Sequence, residues 1–216
     1  MPWPTIPGKA NPINWVWSSP ELTAIPANPA MEPSTWVSLC LESLHASAEV
    51  KPCLRALYLA CGGGRHALYL ASLGYTVHAV DKNTPDTIWP VNVQFEAMDL
   101  EQADWPLAGQ QYDLIVVTNY LHRPHFANLL ANLKSQNAVL VYETFMDGNA
   151  QFGSPRSPQF LLQPGELLSR MSSLNVMRFE QGLRIIPSPA MIQRAMGITG
   201  AWSEIQSGTI TLTQRD

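Results

Sequence analysis

The stretch LYLACGGGRHALYL, residues 57 to 70, constrains the fold more than any other part of the chain. An apolar run ends in Gly62, Gly63 and Gly64, and a segment with helical spacing follows from Arg65. Glycines let the backbone turn sharply and approach a ligand without a Cβ in the way, and the new helix points its first amides at the same place. A strand that feeds a helix through such a loop opens a βα unit.

The unit repeats. Apolar strand candidates fall at 55–61, 76–81, 92–97, 112–118 and 138–145, with helical segments at 65–73, 122–133 and 164–173. Short apolar runs separated by helices imply parallel strands buried on both faces, hence a doubly wound α/β sheet. NVMRFEQG and PAMIQRAMGI, near the end, are too close together for a helical crossover and predict an antiparallel pair at the sheet edge. GTITLT beyond them alternates like a further strand or a frayed tail. Upstream, Ser34 is placed to cap a helix over 35–47.

Residues 1–33 contain eight prolines together with Trp3, Trp15 and Trp17. Prolines so close together block helix and central strand alike, and this predicts an extended N-terminal arm ahead of one domain at 34–216. The arm packs along the domain, covers the site as a lid, or is exchanged between subunits, so monomer and homodimer both remain open. With 14% charged residues, a net charge of -4 and no basic cluster, the chain is not expected to bind nucleic acid. Neither a signal peptide nor a membrane helix is legible, and Cys40, Cys53 and Cys61 form no CxxC pair, so a cytoplasmic protein acting on small molecules is expected.

Two ligands compete for the glycine loop. Gly62-x-Gly64-x-x-Ala67, with Asp81 at the end of the second strand, also fits a dinucleotide fingerprint. However, no tyrosine has a lysine four places later, as a short-chain dehydrogenase would, and a two-domain dehydrogenase needs more chain. The third strand runs into EAMDLEQADWPL, where Asp99 is placed to accept from an adenine amine and the Leu100 amide to face a ring nitrogen.

LACGGGRHALYLASLGYTVHAVDKN, MDLEQADWPL and YDLIVVTNYLHRP together resemble the class I S-adenosylmethionine-dependent methyltransferases. VYETFMDGNAQFGSPRSPQFLLQPGELL is similar to their small TehB-like branch, named for tellurite resistance, and the likeness covers roughly residues 34–199. The resemblance implies a Rossmann-like, mostly parallel seven-stranded sheet with an antiparallel C-terminal edge strand, and S-adenosylmethionine as cofactor. It implies that Ala60 and Gly62 to Gly64 hold the methionine and ribose part, Asp81 with Lys82 the ribose side, Asp99 and Leu100 the adenine, and Asn119 the region beside the sulfonium. The sequence departs from the family pattern L-D-L-G-C-G-x-G-R at two positions: Tyr58 replaces the acid and Ala60 the first glycine. That acid organises the methionine ammonium, and its loss is worth about one charge-assisted hydrogen bond, roughly 1.5–3 kcal/mol. A catalytically degenerate cofactor-binding or interaction protein of the same fold is therefore the competing expectation.

Methyl transfer from a sulfonium needs alignment and exclusion of water more than a base. Loops beyond the carboxyl ends of strands four and five supply the candidates. Tyr120, His122 and Arg123 are the first of these: His122 either moves a proton or caps the helix that begins at Pro124, and Arg123 suits an anionic acceptor. Glu143 is either a functional carboxylate or the buried partner of Arg123 or Arg156. Segment 146–163 has the composition of an ordered flap, and Arg156 within it is the candidate for a negatively charged acceptor. No metal site is expected, because His122-x-x-His125 lacks a third ligand.

Overall fold

The computed structural model describes residues 32–45 and 54–201. The arm other than Glu32 and Pro33, Cys53 and the GTITLT segment lie outside the described residues. In chain order the elements are α1 (Thr35–His45), β1 (Arg55–Leu59), α2 (Arg65–Ser72), β2 (Thr76–Asp81), β3 (Val93–Ala97), β4 (Leu114–Thr118), α3 (Phe126–Ala131), β5 (Val139–Phe145), α4 (Glu166–Arg170), β6 (Asn175–Arg184) and β7 (Ala190–Ile198). Ser34 caps α1 as expected, its Oγ accepting from the Val37 amide at 3.2 Å.

The seven strands form one sheet in the order β3-β2-β1-β4-β5-β7-β6. The first five are parallel, as their apolar runs require, and β7 pairs antiparallel with both β5 and β6. The antiparallel strand is thus inserted beside β5, and its hairpin partner β6 forms the edge. Side-chain alternation divides the core into two layers. Ala56, Tyr58, Val116 and Val141 pack toward α1 and α2, while Leu57, Leu59, Val117 and Leu140 pack on the other side. Each such aliphatic side chain stabilises the fold by about 1.5–3 kcal/mol when fully buried, and β4, buried on both faces, is the centre of the core.

Two boundaries differ from the sequence expectation for a local reason. Strand β1 stops at Leu59 because Ala60 turns into the left-handed region at φ 51°. The helix expected over 122–133 begins as a 3-10 turn at Arg123–His125, since Pro124 has no amide to donate, and only Phe126–Ala131 is α-helical. No helix among the described residues is long and apolar enough to cross a membrane.

Candidate functional site

The order of the strands reverses between β1 and β4, and the carboxyl ends of these two strands with their neighbours form the crevice where open α/β sheets bind ligands. Both strands end in a left-handed residue, Ala60 at φ 51° and Asn119 at φ 56°. This conformation costs an L-residue about 1–2 kcal/mol. It turns the chain abruptly away from the sheet and opens backbone to the crevice. Gly62 at φ 50° and Gly64 at φ 81° continue the turn.

The glycine loop is tied to the next strand. The Gly62 amide donates to Asp81 Oδ2 at 2.8 Å and the Asn83 amide to Asp81 Oδ1 at 2.9 Å. Thr87 Oγ1 donates to the Gly63 carbonyl at 3.0 Å, and the Trp89 ring lies against Gly64, where a Cβ would collide with it. A Cβ built on Gly62 or Gly63 meets nothing within 4 Å among the described residues, so among these that side of the loop is open for a ligand to approach the backbone. Lys82 Nζ reaches Asp99 Oδ2 at 2.9 Å, and the Glu101 amide donates to Asp99 Oδ1 at 3.1 Å. Salt bridge and amide hold the Asp99 carboxyl below the ordinary carboxylate range. Asp81, Lys82 and Asp99 therefore lie side by side along the ends of β2 and β3, and Leu100 is buried beneath them.

Tyr58, at the position of the missing acid, is buried in a neutral array with His66 and Thr118. The Ser34 amide donates to His66 Nε2 at 2.9 Å, which fixes the ring proton on Nδ1. Nδ1 then donates to the Tyr58 hydroxyl at 2.8 Å, and that hydroxyl donates to Thr118 Oγ1 at 3.1 Å. Burial, with Arg65 adding to it, depresses the His66 pKa to about 3, and burial raises the Tyr58 phenol to about 12. The sequence pointed to Tyr58 alone; its partners are eight and sixty residues away, and no spacing pattern links them.

The remaining candidates separate into three places. Tyr120 stands at the end of β4, its hydroxyl buried without a hydrogen-bond partner among the described residues, and His122 lies 5.0 Å from the His125 ring. Arg123 is fully engaged: it grips Glu166 through Nε at 2.7 Å and Nη2 at 2.8 Å, and donates to the carbonyls of Gln159 and Leu161. These bonds pull the Glu166 carboxyl down to about 2. Arg156 is exposed on the flap.

Glu143 requires a correction. It is buried, as expected, but its arginine partners are Arg194 at 3.4 Å and Arg184 at 3.8 Å, not Arg123 or Arg156. Strand register decides this, because Glu143 faces Arg194 directly across the β5–β7 pair and Glu180 faces the same arginine from β6. Arg194 also covers the Trp36 ring of α1 at 4.8 Å, which holds the group on the α1 side of the sheet.

The family model of tellurite resistance protein TehB matches residues 37–183, more than two thirds of the chain. The chain belongs to the TehB family. The TehB structure from Haemophilus influenzae superimposes with a TM-score of 0.56 at 18% identity, over 74% of this chain and 62% of that one. This TehB-family chain thus spans somewhat under two thirds of that protein's length. The Burkholderia thailandensis 1,6-didemethyltoxoflavin-N1-methyltransferase, solved with 1,6-didemethyltoxoflavin and S-adenosylhomocysteine, gives 0.56 at 15% identity over 77% of this chain and 80% of that one. The N-methyltransferase NodS from Bradyrhizobium japonicum WM9 with S-adenosylhomocysteine gives 0.54 at 17% identity, over 74% and 85%. No curated protein sequence matches the chain. The fold is that of the S-adenosylmethionine-dependent methyltransferases.

Proposed function

We propose that this TehB-family chain transfers a methyl group from S-adenosylmethionine to a small-molecule acceptor through an oxygen, a sulfur or a metalloid oxyanion. The observation that carries this reading is the bond from the Gly62 amide to Asp81, which joins the glycine loop to the β2 carboxylate in one rigid cradle. The open side of Gly62 and Gly63 fits a polar cofactor laid across the ends of β1 and β4. When bound, that cofactor supplies an electrophilic methyl group.

The chain's own residues then hold and exclude. Asp81 and Asp99 accept from ribose and adenine with the lone pairs their amide and lysine partners leave available. Lys82 orients Asp99, Leu100 closes the apolar floor, and Asn119 turns the chain at the β4 end so that its side chain stands exposed beside the crevice. Arg123 positions the flap rather than touching the acceptor, since its donors already reach Glu166 and two flap carbonyls. Tyr120 and His122 face the acceptor, and Arg156 stands at the flap surface for an acceptor that carries charge. Glu143 keeps β5, β6 and β7 in register beneath the site.

A fold-retaining protein that binds without turnover is favoured by one observation, the neutral Tyr58–His66–Thr118 array in place of an acid. Calorimetry with S-adenosylmethionine and S-adenosylhomocysteine, followed by product detection, separates the two. Binding with methyl transfer supports the enzyme, and binding without transfer to any of a broad acceptor panel supports the second reading. Absence of binding at millimolar concentration overturns both. Asp81→Ala should weaken cofactor affinity about 10- to 100-fold, as loss of a charge-assisted bond and of the loop's anchor requires.

A further inference from the structure

A pocket of about 390 Å³ lies between the ends of β4 and β5 and the flap, on the side of the crevice away from the glycine loop. Its walls include Tyr120, Leu121, Phe145, Pro155 and Phe160, and among the described residues the only charged one lining it is Glu101. Asn119 also lines it, so the pocket adjoins the strand end assigned above to the methyl donor. We propose that this pocket takes a flat, uncharged, aromatic acceptor and rejects oxyanions. The proposal rests on the methyltransferase reading and narrows its substrate class.

Three observations carry it. Three aromatic rings and a proline give stacking and apolar area, which an oxyanion cannot use and a flat ring system can. No lysine or arginine lines the pocket among the described residues, and each arginine nearby is placed otherwise. Arg123 is held by Glu166 and flap carbonyls, Arg184 and Arg194 face Glu143, and Arg156, next to the lining Pro155, is exposed outside it. The field is also negative: the Tyr120 phenol is pushed up, first by burial and then by Glu101, Asp99 and Asp81. A protonated Tyr120 hydroxyl without a partner remains to hydrogen-bond a ring nitrogen or the nucleophilic group of the acceptor.

The test is calorimetry on the full chain with two flat probes that share a ring and differ in charge, 3-aminoquinoline and quinoline-3-carboxylate, with tellurite as a third arm. S-adenosylhomocysteine is titrated separately. The uncharged probe should bind at least about tenfold more tightly than the carboxylate, a difference a nearby carboxylate in a partly desolvated pocket supplies. Glu101→Gln, in an exposed turn, should narrow that gap, and Phe160→Ala should weaken the uncharged probe at least about fivefold. Carboxylate or tellurite binding as tightly as aminoquinoline, or a gap unmoved by Glu101→Gln, overturns the inference. If S-adenosylhomocysteine binds and neither quinoline does, this inference falls and the methyltransferase reading stands. If aminoquinoline binds with the stated preference and S-adenosylhomocysteine does not, the pocket assignment stands and the methyltransferase reading falls.

Discussion

The Tyr58 hydroxyl accepts from His66 Nδ1 at 2.8 Å, at the position where the family motif carries an acid. A carboxylate there would be a buried charge; a phenol between a neutral imidazole and a threonine is fully bonded without charge. Tyr58→Phe should therefore lower the unfolding free energy by about 1–3 kcal/mol, because it leaves the His66 Nδ1–H and Thr118 without their shared partner. Tyr58→Asp should cost more, and should not tighten cofactor binding, since the shorter side chain leaves a cavity around His66. Urea unfolding and S-adenosylhomocysteine calorimetry on both variants check this.

The same pair sets a pH dependence. His66 has a folded pKa of about 3, below its ordinary 6.5, so the unfolded chain binds the extra proton between these values. Its contribution is fully present above about pH 6.5 and is lost as pH falls toward 3, by up to roughly 4 kcal/mol. Glu166, lowered from 4.5 to about 2, adds a loss confined to the more acidic part of the window. Urea midpoints should fall from pH 6.5 downward, and His66→Gln should make that fall shallower down to about pH 3, leaving above pH 4.5 the part due to His45 and His78, which burial also lowers, and below it the Glu166 loss.

Ala60 sits at φ 51° where the family has glycine. Ala60→Gly should raise stability by about 1 kcal/mol or slightly less, the relief of left-handed strain being partly offset by the greater freedom of glycine in the unfolded chain. A higher midpoint in urea with an unchanged slope is the expected reading; a lower one would mean that Ala60 packs better than its backbone suggests.

Gly64 is fixed by two independent constraints, φ 81° and the Trp89 ring beside it. Gly64→Ala should cost about 2 kcal/mol or more and displace the loop from Asp81. Gly64→Ala with Trp89→Ala should recover part of the cofactor affinity, because the second change removes the collision and leaves only the strain.

Arg123 joins the flap to α4 through Glu166. Arg123→Ala should make residues 152–160 more sensitive to limited proteolysis and raise the KM for acceptor more than it lowers kcat. Arg123→Lys should not rescue either effect, since a single ammonium cannot reproduce the fork on Glu166 and both carbonyl contacts.

The sequence by itself determined the βα alternation, the glycine loop and the carboxylates after β2 and β3, because these depend on local periodicity and on residues fixed within one turn of a strand end. It put Asp81, Asp99 and Asn119 at the ends of β2, β3 and β4, where the structure has them, and it singled out Tyr58 as the departure. Only the tertiary structure decided what replaces the acid: His66 and Thr118 meet Tyr58 because α2 and β4 pack against β1. It also decided the partners of Glu143, which follow from the register of β5 with β7. The pairing of Arg123 with Glu166 likewise spans 43 residues, and the pocket beside Tyr120 is lined on one side by a flap whose composition says only that it is a loop. Burial makes such contacts specific, and burial is a property of packing between distant segments, to which local pattern is blind.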